Sequence, residues 1–556
     1  MNDVQRNPPD ALARLRRLGR TLYARTLRVD DAEAPRPLDA LETIDAVTFV
    51  VAACWSLLTA LRPLLSRRVF PLQDYGHHLG VVATVADLGR EGSIYPHYFE
   101  GMKAYRPNVL LYFVLGMLSR AIGVIGAMKC GLIAYLLGTT FALGWLLYRQ
   151  RRSIWPAVIA PALCYNAMFE YGFVNWFAAI PVLLLFCERL QALCDRPTRG
   201  RWIATSCLLL ATYWLHVQMF LFAGLLAIPI ALLPLRSLKR TAIAASAALP
   251  ACVPFLFWFR ENFFSAPTVS TVAGGRPAGA LAGAIWLPFH EYFYLAADYT
   301  MGVVKGEDGY RAFGVFVCAV VFALCFRARP EVEKGRRLLE LIFALSLVTY
   351  MAIPAHSDAN AMIGIRHIVI AWFASLVFLA PPSCARGPGR FARSIARVLV
   401  MGTALSFVAL HLRWIEERWR VWDVEVAGLE EALAAAPARG RLARVIVDPS
   451  SAAVAHAQMW HFDKYYVAEK FGVTWDMIAK FYHCPVRLKE GVELPPVDPR
   501  QDFWNEPGLT EKWDVLLAFR LPQNLVDEGA KRYALVGRSG EFAVFDLHRP
   551  IEGAPP

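Results

Sequence analysis

Long apolar stretches separated by short polar segments dominate this chain. Several reach the roughly 17 to 25 residues that cross a hydrocarbon core about 30 Å thick. The pattern therefore predicts a mainly α-helical, polytopic membrane helix bundle. We predict eleven crossings, at Ile44–Leu61, Ala127–Tyr148, Ile154–Tyr171, Phe173–Leu193, Trp202–Leu215, Val217–Leu235, Ala242–Phe259, Phe313–Arg327, Leu338–Pro354, Ile365–Pro381 and Val398–Leu412.

One further apolar stretch, Val109–Ile125, is also long enough to cross, but Ala127–Tyr148 follows it at once. If both crossed, the basic cluster at Arg149 and every later loop would invert against the positive-inside rule. We therefore expect Val109–Ile125 to lie along the outer membrane surface or to re-enter it partway.

The carboxyl-terminal part differs in kind, because charge density rises from about Arg413. Short strand-like runs occur at Ala443–Asp448, Trp513–Phe519, Tyr533–Val536 and Glu541–Leu547, and helical patterns at Val421–Ala435 and Val454–Phe471. A small α/β domain outside the membrane is predicted, with no glycine-rich phosphate loop to indicate nucleotide binding. The predicted organisation is a basic segment at 1–43, a transmembrane module at 44–412 and the α/β domain at 413–556.

Composition and charge support this topology. Hydrophobic residues make up 56% of the chain, and 58 lysines and arginines exceed 46 acids. The arginines cluster between apolar runs, which marks those loops as cytoplasmic. A basic face on one folded domain is missing, which excludes a nucleic-acid-binding protein. Residues 11–28 carry six arginines and no acid, typical of a cytoplasmic amphipathic helix or a disordered basic tail.

Candidate chemistry concentrates in the first outer loop, directly after the first apolar run. Asp74, His77 and His78 lie within one helical turn, and Glu100, Lys103 and Arg106 follow in the same loop. Acids, imidazoles and cations gathered in one place can deprotonate a hydroxyl and stabilise an anionic leaving group. The alternative for Asp74 is an N-cap, since aspartate is favoured before a helix.

Other polar residues are expected at the outer ends of spans. Arg260 and Arg366 lie there, although a single arginine at such a place is often a snorkelling anchor. His216 separates two apolar runs, where a structural turn histidine is the alternative. Glu170 and Asn175 are interpreted as polar caps of a turn. We assign no role to His456, His461 or Asp463.

With these features the chain resembles the GT-C glycosyltransferases. These membrane enzymes include the protein mannosyltransferases and the aminoarabinose transferases of lipid A. The resemblance rests on architecture and on three local features: the run Pro71-Leu72-Gln73-Asp74-Tyr75, the start of a second surface helix at Arg106-Pro107-Asn108, and Arg366 opening a late span. The protein mannosyltransferases have an Asp-Glu pair where this chain has Asp74-Tyr75. That departure leaves the donor class and the acceptor open.

The resemblance implies an inverting glycosyltransferase of the bacterial inner membrane, with the amino terminus cytoplasmic and the α/β domain periplasmic. Asp74 would be the general base, and Arg106 and Arg366 would bind substrate. From their places in the outer segments we also predict Glu100 as a catalytic residue and His77, His78, Lys103, His216 and Arg260 as substrate-binding residues. The implied partners are a polyprenyl-phosphate-linked sugar and a lipid, glycan or protein acceptor.

Two points stay open at the level of the sequence. We assign no metal site, because adjacent histidines point in different directions on a helix, although a divalent cation is left open as a cofactor. The alternative functions are an O-antigen-ligase or polymerase type of enzyme, which relies on arginine and histidine in a large outer loop, and a transporter of a lipid-linked substrate. A transporter would need internal repeats and polar helices at mid-depth.

Overall fold

The computed structural model describes residues 40–232, 237–263, 284–301, 308–325, 337–355, 362–379, 381, 390–454, 461–475, 484–492 and 503–549. The predicted basic segment before residue 40 and His456 lie outside these ranges. The helices of the first part are α1 (Ala40–Ser66), α2 (Tyr75–Asp87), α3 (Tyr95–Tyr98), α4 (Val109–Arg149), α5 (Ala160–Leu163), α6 (Ala167–Glu170), α7 (Val174–Asp195), α8 (Arg199–Leu215), α9 (Val217–Leu232), α10 (Leu238–Ser246) and α11 (Leu249–Phe263). They are followed by α12 (Phe289–Met301), α13 (Asp308–Cys325), α14 (Leu338–Ala352), α15 (His367–Ser375) and α16 (Arg390–Glu425).

Within the described residues, four helices are long and apolar enough to cross a membrane: Thr43–Ser66 of α1, α4, α7 and Phe391–Glu425 of α16. The pair α10–α11 adds a fifth candidate that is bent by 51°. Shorter apolar helices lie at Val217–Leu232, Tyr310–Cys325, Leu338–Ala352 and His367–Leu379. The prediction of a polytopic helix bundle is confirmed.

Two predicted crossings are not single helices: Ala242–Phe259 is divided between α10 and α11, and Ile154–Tyr171 is broken more strongly. Ile154–Tyr171 folds as a 3₁₀ turn at Trp155–Ile159 followed by the one-turn helices α5 and α6. Pro156 and Pro161 lack the N–H that would continue a helix, and Asn166 starts α6 by accepting a hydrogen bond from the Phe169 N–H at 3.2 Å. Nearly all of this segment is buried, which is where irregular backbone is tolerated at membrane depth.

The stretch at Val109–Ile125 forms the first part of α4, which contains a break. Gly123 has a non-helical backbone, with φ 77° and ψ 163°. The break lies two residues before the end of Val109–Ile125, the predicted surface helix. The kink in α4 therefore lies close to the boundary between Val109–Ile125 and the predicted crossing Ala127–Tyr148. The first part of α4 packs against α2, with Gly116 close to Val85.

The carboxyl-terminal part is a five-stranded mixed sheet with short helices. Its elements are α17 (Leu429–Ala434), β1 (Arg441–Ile446), α18 (Asp463–Lys470), β2 (Val473–Thr474), α19 (Leu509–Lys512), β3 (Val515–Phe519), α20 (Gln523–Ala530), β4 (Ala534–Ser539) and β5 (Phe542–Asp546). The strand order is β2-β1-β3-β5-β4. β1 is parallel to β2 and β3, and β5 is antiparallel to β3 and β4. All four predicted strands are present. The sequence also predicts a hairpin turn at Gly537-Arg538-Ser539-Gly540, but β4 extends to Ser539, so the turn begins only at Gly540.

The membrane module and the sheet domain are joined through α16. This helix runs from Arg390 to Glu425, across the predicted boundary at 412. Its first part forms a buried ion pair with α1, in which Arg397 and Asp45 are 2.8 Å apart. Its last turns bind Arg67, which is 3.1 Å from Glu416 and 2.9 Å from Asp423. The segment that follows α1 is thereby held against the sheet domain.

Candidate active site around Asp74

Backbone contacts fix the segment that carries Asp74. The N–H groups of Gln73 and Asp74 donate to the carbonyls of Glu170 and Tyr171, both at 2.9 Å. Gly172 makes this approach possible, since it has φ +75° and a Cβ there would lie 2.7 Å from the Tyr75 nitrogen. A side chain at that position would push the two segments apart. The irregular segment after Ile154 therefore positions Asp74.

Asp74 occupies the N-cap position of α2, yet its side chain makes no capping hydrogen bond. A hydrogen-bonded cap therefore does not account for the acid at this place. The carboxylate instead lies 3.7 Å from Nε2 of His461 in the sheet domain. It is partly exposed, with 27% of the side chain accessible.

The two histidines of α2 point to different neighbours, as adjacent helical residues must. His78 is buried, and its Nδ1 lies 2.7 Å from the hydroxyl of Tyr112 on α4. Asn175 of α7 lies near that hydroxyl. The ring of His77 lies 3.8 Å from the ring of His461. His78 thus links α2 to the helix bundle, and His77 contacts the sheet domain.

His461 reaches the site because α2 and the sheet domain touch at Gly76. A Cβ on Gly76 would lie 2.5 Å from the carbonyl oxygen of His461 and 2.8 Å from its Cβ. The N–H of Phe70 donates to the hydroxyl of Tyr465 on α18 at 3.1 Å. The sheet domain is therefore docked directly on the loop that holds Asp74.

Buried charges surround the far side of His461. Arg444 of β1 donates to Nδ1 of His461 at 3.4 Å and to Asp463 at 3.1 Å. Lys464 also pairs with Asp463 at 2.5 Å. Burial, with added repulsion from His77, Lys464 and Arg444, places the pKa of His461 well below its usual 6.5. His461 is therefore a neutral imidazole at physiological pH.

Among the residues that the structure describes, Asp74, His77 and His461 form a set that could hold a metal ion, with ligand atoms within 4.8 Å of one another. Two imidazoles and a carboxylate are a donor set that Zn²⁺ accepts. The contact from Arg444 argues against metal coordination by His461. When one nitrogen of a neutral imidazole accepts a hydrogen bond, the other nitrogen carries the proton and cannot bind a metal ion. That other nitrogen, Nε2, faces Asp74. The geometry favours a hydrogen bond between Nε2 of His461 and the carboxylate of Asp74. A divalent cation as cofactor stays a prediction.

Arg366 lies on the membrane-module side of Asp74. It begins α15, and its guanidinium carbon lies 4.0 Å from the centre of the Phe173 ring, a cation–π contact. The charge of Asp74 acts on Arg366 through Coulomb attraction. An arginine within electrostatic range of Asp74 can attract an anionic group to this place.

Glu100, Lys103 and Arg106 belong to a second cluster of charges. Arg106 is 1% exposed, and its guanidinium lies 3.3 Å from Glu100 and 3.4 Å from Glu261 of α11. Lys103 is 3.4 Å from Glu261, which also faces Arg487 at 3.8 Å. The cluster joins the first loop to α11 and to the segment 484–488. The substrate roles of these residues stay predictions.

His216 and Arg260 lie near the same loop. His216 follows the last residue of α8 in an extended conformation. It lies two residues after Trp214, whose indole donates to the carbonyl of Ala104 at 2.9 Å. Tyr213 donates to the carbonyl of Tyr105 at 2.6 Å. Arg260 is exposed on the last turn of α11. The end of α8 thus supports the loop that leads to the buried arginine.

A separate open pocket of about 610 Å³ lies where α1 meets α16 and α17. None of the predicted site residues lines it. Its lining is strongly charged: Arg62, Ser66, Arg67, Arg68, Val69, Glu416, Arg420, Asp423, Val426, Ala427, Gly428, Glu430 and Glu431. The ion pairs made by Arg67 and Arg68 identify it as part of the junction between the two domains.

Sequence reasoning missed two residues of the site, His461 and Arg444. Both lie in the sheet domain, far along the chain from Asp74. His461 stands in a segment interpreted as helical, and nothing in its local pattern indicates a partner in the first loop. Only the close contact at Gly76 brings it there.

Comparisons with known proteins identify the fold. No protein-family model matches this sequence, and no curated protein sequence matches it. Among solved structures, the chain is similar to ArnT from Cupriavidus metallidurans bound to undecaprenyl phosphate. The alignment has a TM-score of 0.53 and 12% sequence identity, and it covers 92% of this chain and 100% of ArnT. It is also aligned with the arabinofuranosyltransferase AftD from Mycobacteria, with a TM-score of 0.46 and 12% identity over 90% of this chain and 40% of AftD. The likeness to ArnT confirms the predicted fold, a polytopic helix bundle followed by a carboxyl-terminal domain.

Proposed function

We propose that this protein is an inverting glycosyltransferase that moves a sugar from a polyprenyl phosphate to a hydroxyl acceptor, with Asp74 as the general base. The observation that carries the proposal is the position of Asp74 together with its contacts. It stands at the start of α2 without capping the helix, on the loop that follows the first apolar helix. Arg366 and His461 approach it from opposite domains.

The reaction follows from these groups. The Asp74 carboxylate accepts the proton of the acceptor hydroxyl as its oxygen attacks the anomeric carbon from the side opposite the phosphate. The bond between the sugar and the phosphate oxygen breaks, and the polyprenyl phosphate leaves with the electron pair. A positioned carboxylate contributes roughly 100- to 10,000-fold to such a step.

The leaving phosphate needs a cation, and Arg366 supplies one beside the base. Its guanidinium is fixed by the Phe173 ring, which reduces the reorganisation needed when negative charge develops. The structurally similar ArnT is bound to undecaprenyl phosphate, which supports a lipid phosphate of this class as the donor carrier. We place the reaction at the outer face of the bacterial inner membrane, with the sheet domain periplasmic.

The test is donor turnover by the purified full-length protein in lipid nanodiscs. A panel of undecaprenyl-phosphate-linked hexoses, pentoses and aminosugars is offered with a hydroxyl acceptor mixture, and release of undecaprenyl phosphate is measured by chromatography. We expect wild-type turnover of at least one donor. Asp74→Asn should lower kcat by roughly 100-fold or more, because the amide cannot accept the proton.

The matched control is Asp527→Asn, an exposed aspartate on α20, which should turn over the donor as the wild type does. Equal activity in Asp74→Asn and wild type would refute the base. His290, in the first turn of α12, is the histidine in the second long outer loop on which a ligase or polymerase type of enzyme would rely. Loss of activity in His290→Ala with full activity in Asp74→Asn would favour that type of enzyme. A wild type that turns over no donor of the panel would refute the proposed function.

A further inference from the structure

The sheet domain contributes a side chain to the site of the proposed base. His461 precedes α18, and its Nε2 lies 3.7 Å from Oδ1 of Asp74. A shift of about 0.5 Å would bring the two atoms within the usual range of an N–H···O hydrogen bond. Hydrogen bonds of catalytic groups are often long before substrate binds.

The neighbours of His461 decide which ring nitrogen carries the proton. Arg444 is always charged and can only donate, and its Nη1 faces Nδ1 of His461 at 3.4 Å. Nδ1 must therefore accept, which leaves the proton of the neutral ring on Nε2. Arg444 is itself held by Asp463 at 3.1 Å and by the Trp475 ring at 5.1 Å.

We propose that His461 is a positioning residue for Asp74, acting as an Nε2–H donor whose tautomer is set by Arg444. This inference rests on the proposed function of Asp74 as base. The donated hydrogen bond occupies Oδ1 and fixes the rotation of the carboxylate. Oδ2 is then oriented toward the acceptor hydroxyl, as a third group orients the base in other catalytic sites.

This arrangement gives the sheet domain a defined role. The base is fully oriented only when the domain is docked, because Gly76 and His461 meet through backbone atoms. The contact between Phe70 and Tyr465 holds the same interface on its other side. The domain completes the site in addition to bracing the membrane module.

The first experiment compares two amide substitutions of His461. Glutamine places its amide where Nε2 lies, whereas asparagine reaches only the position of Nδ1. We expect His461→Gln to retain kcat within about threefold and His461→Asn to lose about 10- to 100-fold. KM for the undecaprenyl-phosphate-linked donor should change less than about twofold in both, because His461 orients the base and does not hold the donor.

The matched control is His548→Asn, an exposed histidine of the same domain, which should behave as the wild type. Thermal unfolding is measured for every variant. Equal losses of kcat in His461→Gln and His461→Asn, in folded protein, would overturn the proposal, because a purely structural role does not distinguish the two amides. Full activity in both variants would overturn it as well.

The second experiment does not depend on activity. Solid-state ¹⁵N NMR of histidine-labelled protein distinguishes protonated from unprotonated ring nitrogens, and the His461 signals are assigned as those lost in His461→Asn. We expect protonated Nε2 and unprotonated Nδ1, unchanged by added Zn²⁺. A protonated Nδ1, or a shift of Nε2 on addition of zinc, would overturn the proposal in favour of metal coordination. If the tautomer is as expected and the wild type turns over no donor, the proposed function fails and the assignment of the tautomer stands.

Discussion

Replacing Gly76 by alanine tests how closely the sheet domain must approach α2. A Cβ on Gly76 would lie 2.5 Å from the carbonyl oxygen of His461, and it would also meet the Cβ of His461 at 2.8 Å. Ordinary contacts begin near 3.4 Å, so the backbone of His461 must retreat by about 0.9 Å to relieve the overlap. His461 would then leave hydrogen-bonding reach of Asp74.

The expected effects on stability and on activity differ in size. Alanine usually stabilises a helix by roughly 0.5–1 kcal/mol relative to glycine, whereas overpacking costs roughly 1–3 kcal/mol. The free energy of unfolding should therefore fall by at most about 2.5 kcal/mol. A displacement of about 1 Å at a catalytic group can lower turnover by roughly 100-fold, so we expect folded protein with strongly reduced kcat.

The assay is donor turnover in nanodiscs together with thermal unfolding. Gly402→Ala is the matched control, since Gly402 lies inside α16 and a Cβ there meets nothing within 4 Å. That variant should keep its activity and gain slightly in stability. The reasoning is refuted if Gly76→Ala matches Gly402→Ala in both kcat and unfolding midpoint, because the close approach would then be unnecessary for the site.

Two further predictions concern ion pairs. Arg397→Ala removes the arginine that lies 2.8 Å from the buried Asp45, so we expect the free energy of unfolding to fall by about 3 kcal/mol or more. Adding Asp45→Ala should recover part of this loss. An unchanged midpoint of thermal unfolding in Arg397→Ala would contradict the prediction. Burial alone would raise the pKa of Asp514, but hydrogen bonds and charge from Arg441 outweigh it and hold that pKa below 3.8. The resulting stabilisation is present above about pH 3.8 and is lost as the pH falls through the pKa of the folded state. At acid pH, the unfolding midpoint of Asp514→Asn should therefore change less with pH than that of the wild type. The same dependence on pH in both proteins would count against the Asp514–Arg441 pair.

The elements that could be predicted are those with a local signal. Apolar length identifies the crossing helices α1, α4 and α7, because a helix must bury its own backbone polar groups in lipid. Alternation and turn residues identify the strands of the sheet domain. The place of Asp74, directly after the first apolar helix, also follows from the order of residues along the chain.

Interruptions inside an apolar stretch were harder to recognise. The segment Ile154–Tyr171 has the hydropathy of a crossing helix, but Pro156, Pro161 and Asn166 divide it into short turns. Hydropathy reports only whether residues prefer to avoid water. It does not report whether the backbone stays helical, since buried protein contacts can satisfy a broken segment as well.

The sequence by itself determined the helix bundle, the appended α/β domain and the location of an acid at the start of α2. Only the tertiary structure decided that the side chain of this acid makes no capping hydrogen bond, that His461 reaches it from the other domain and that Arg444 contacts His461. The reason is physical. Secondary structure is encoded by neighbours a few residues apart, whereas the meeting of two distant segments depends on shape, here on the missing side chain of Gly76.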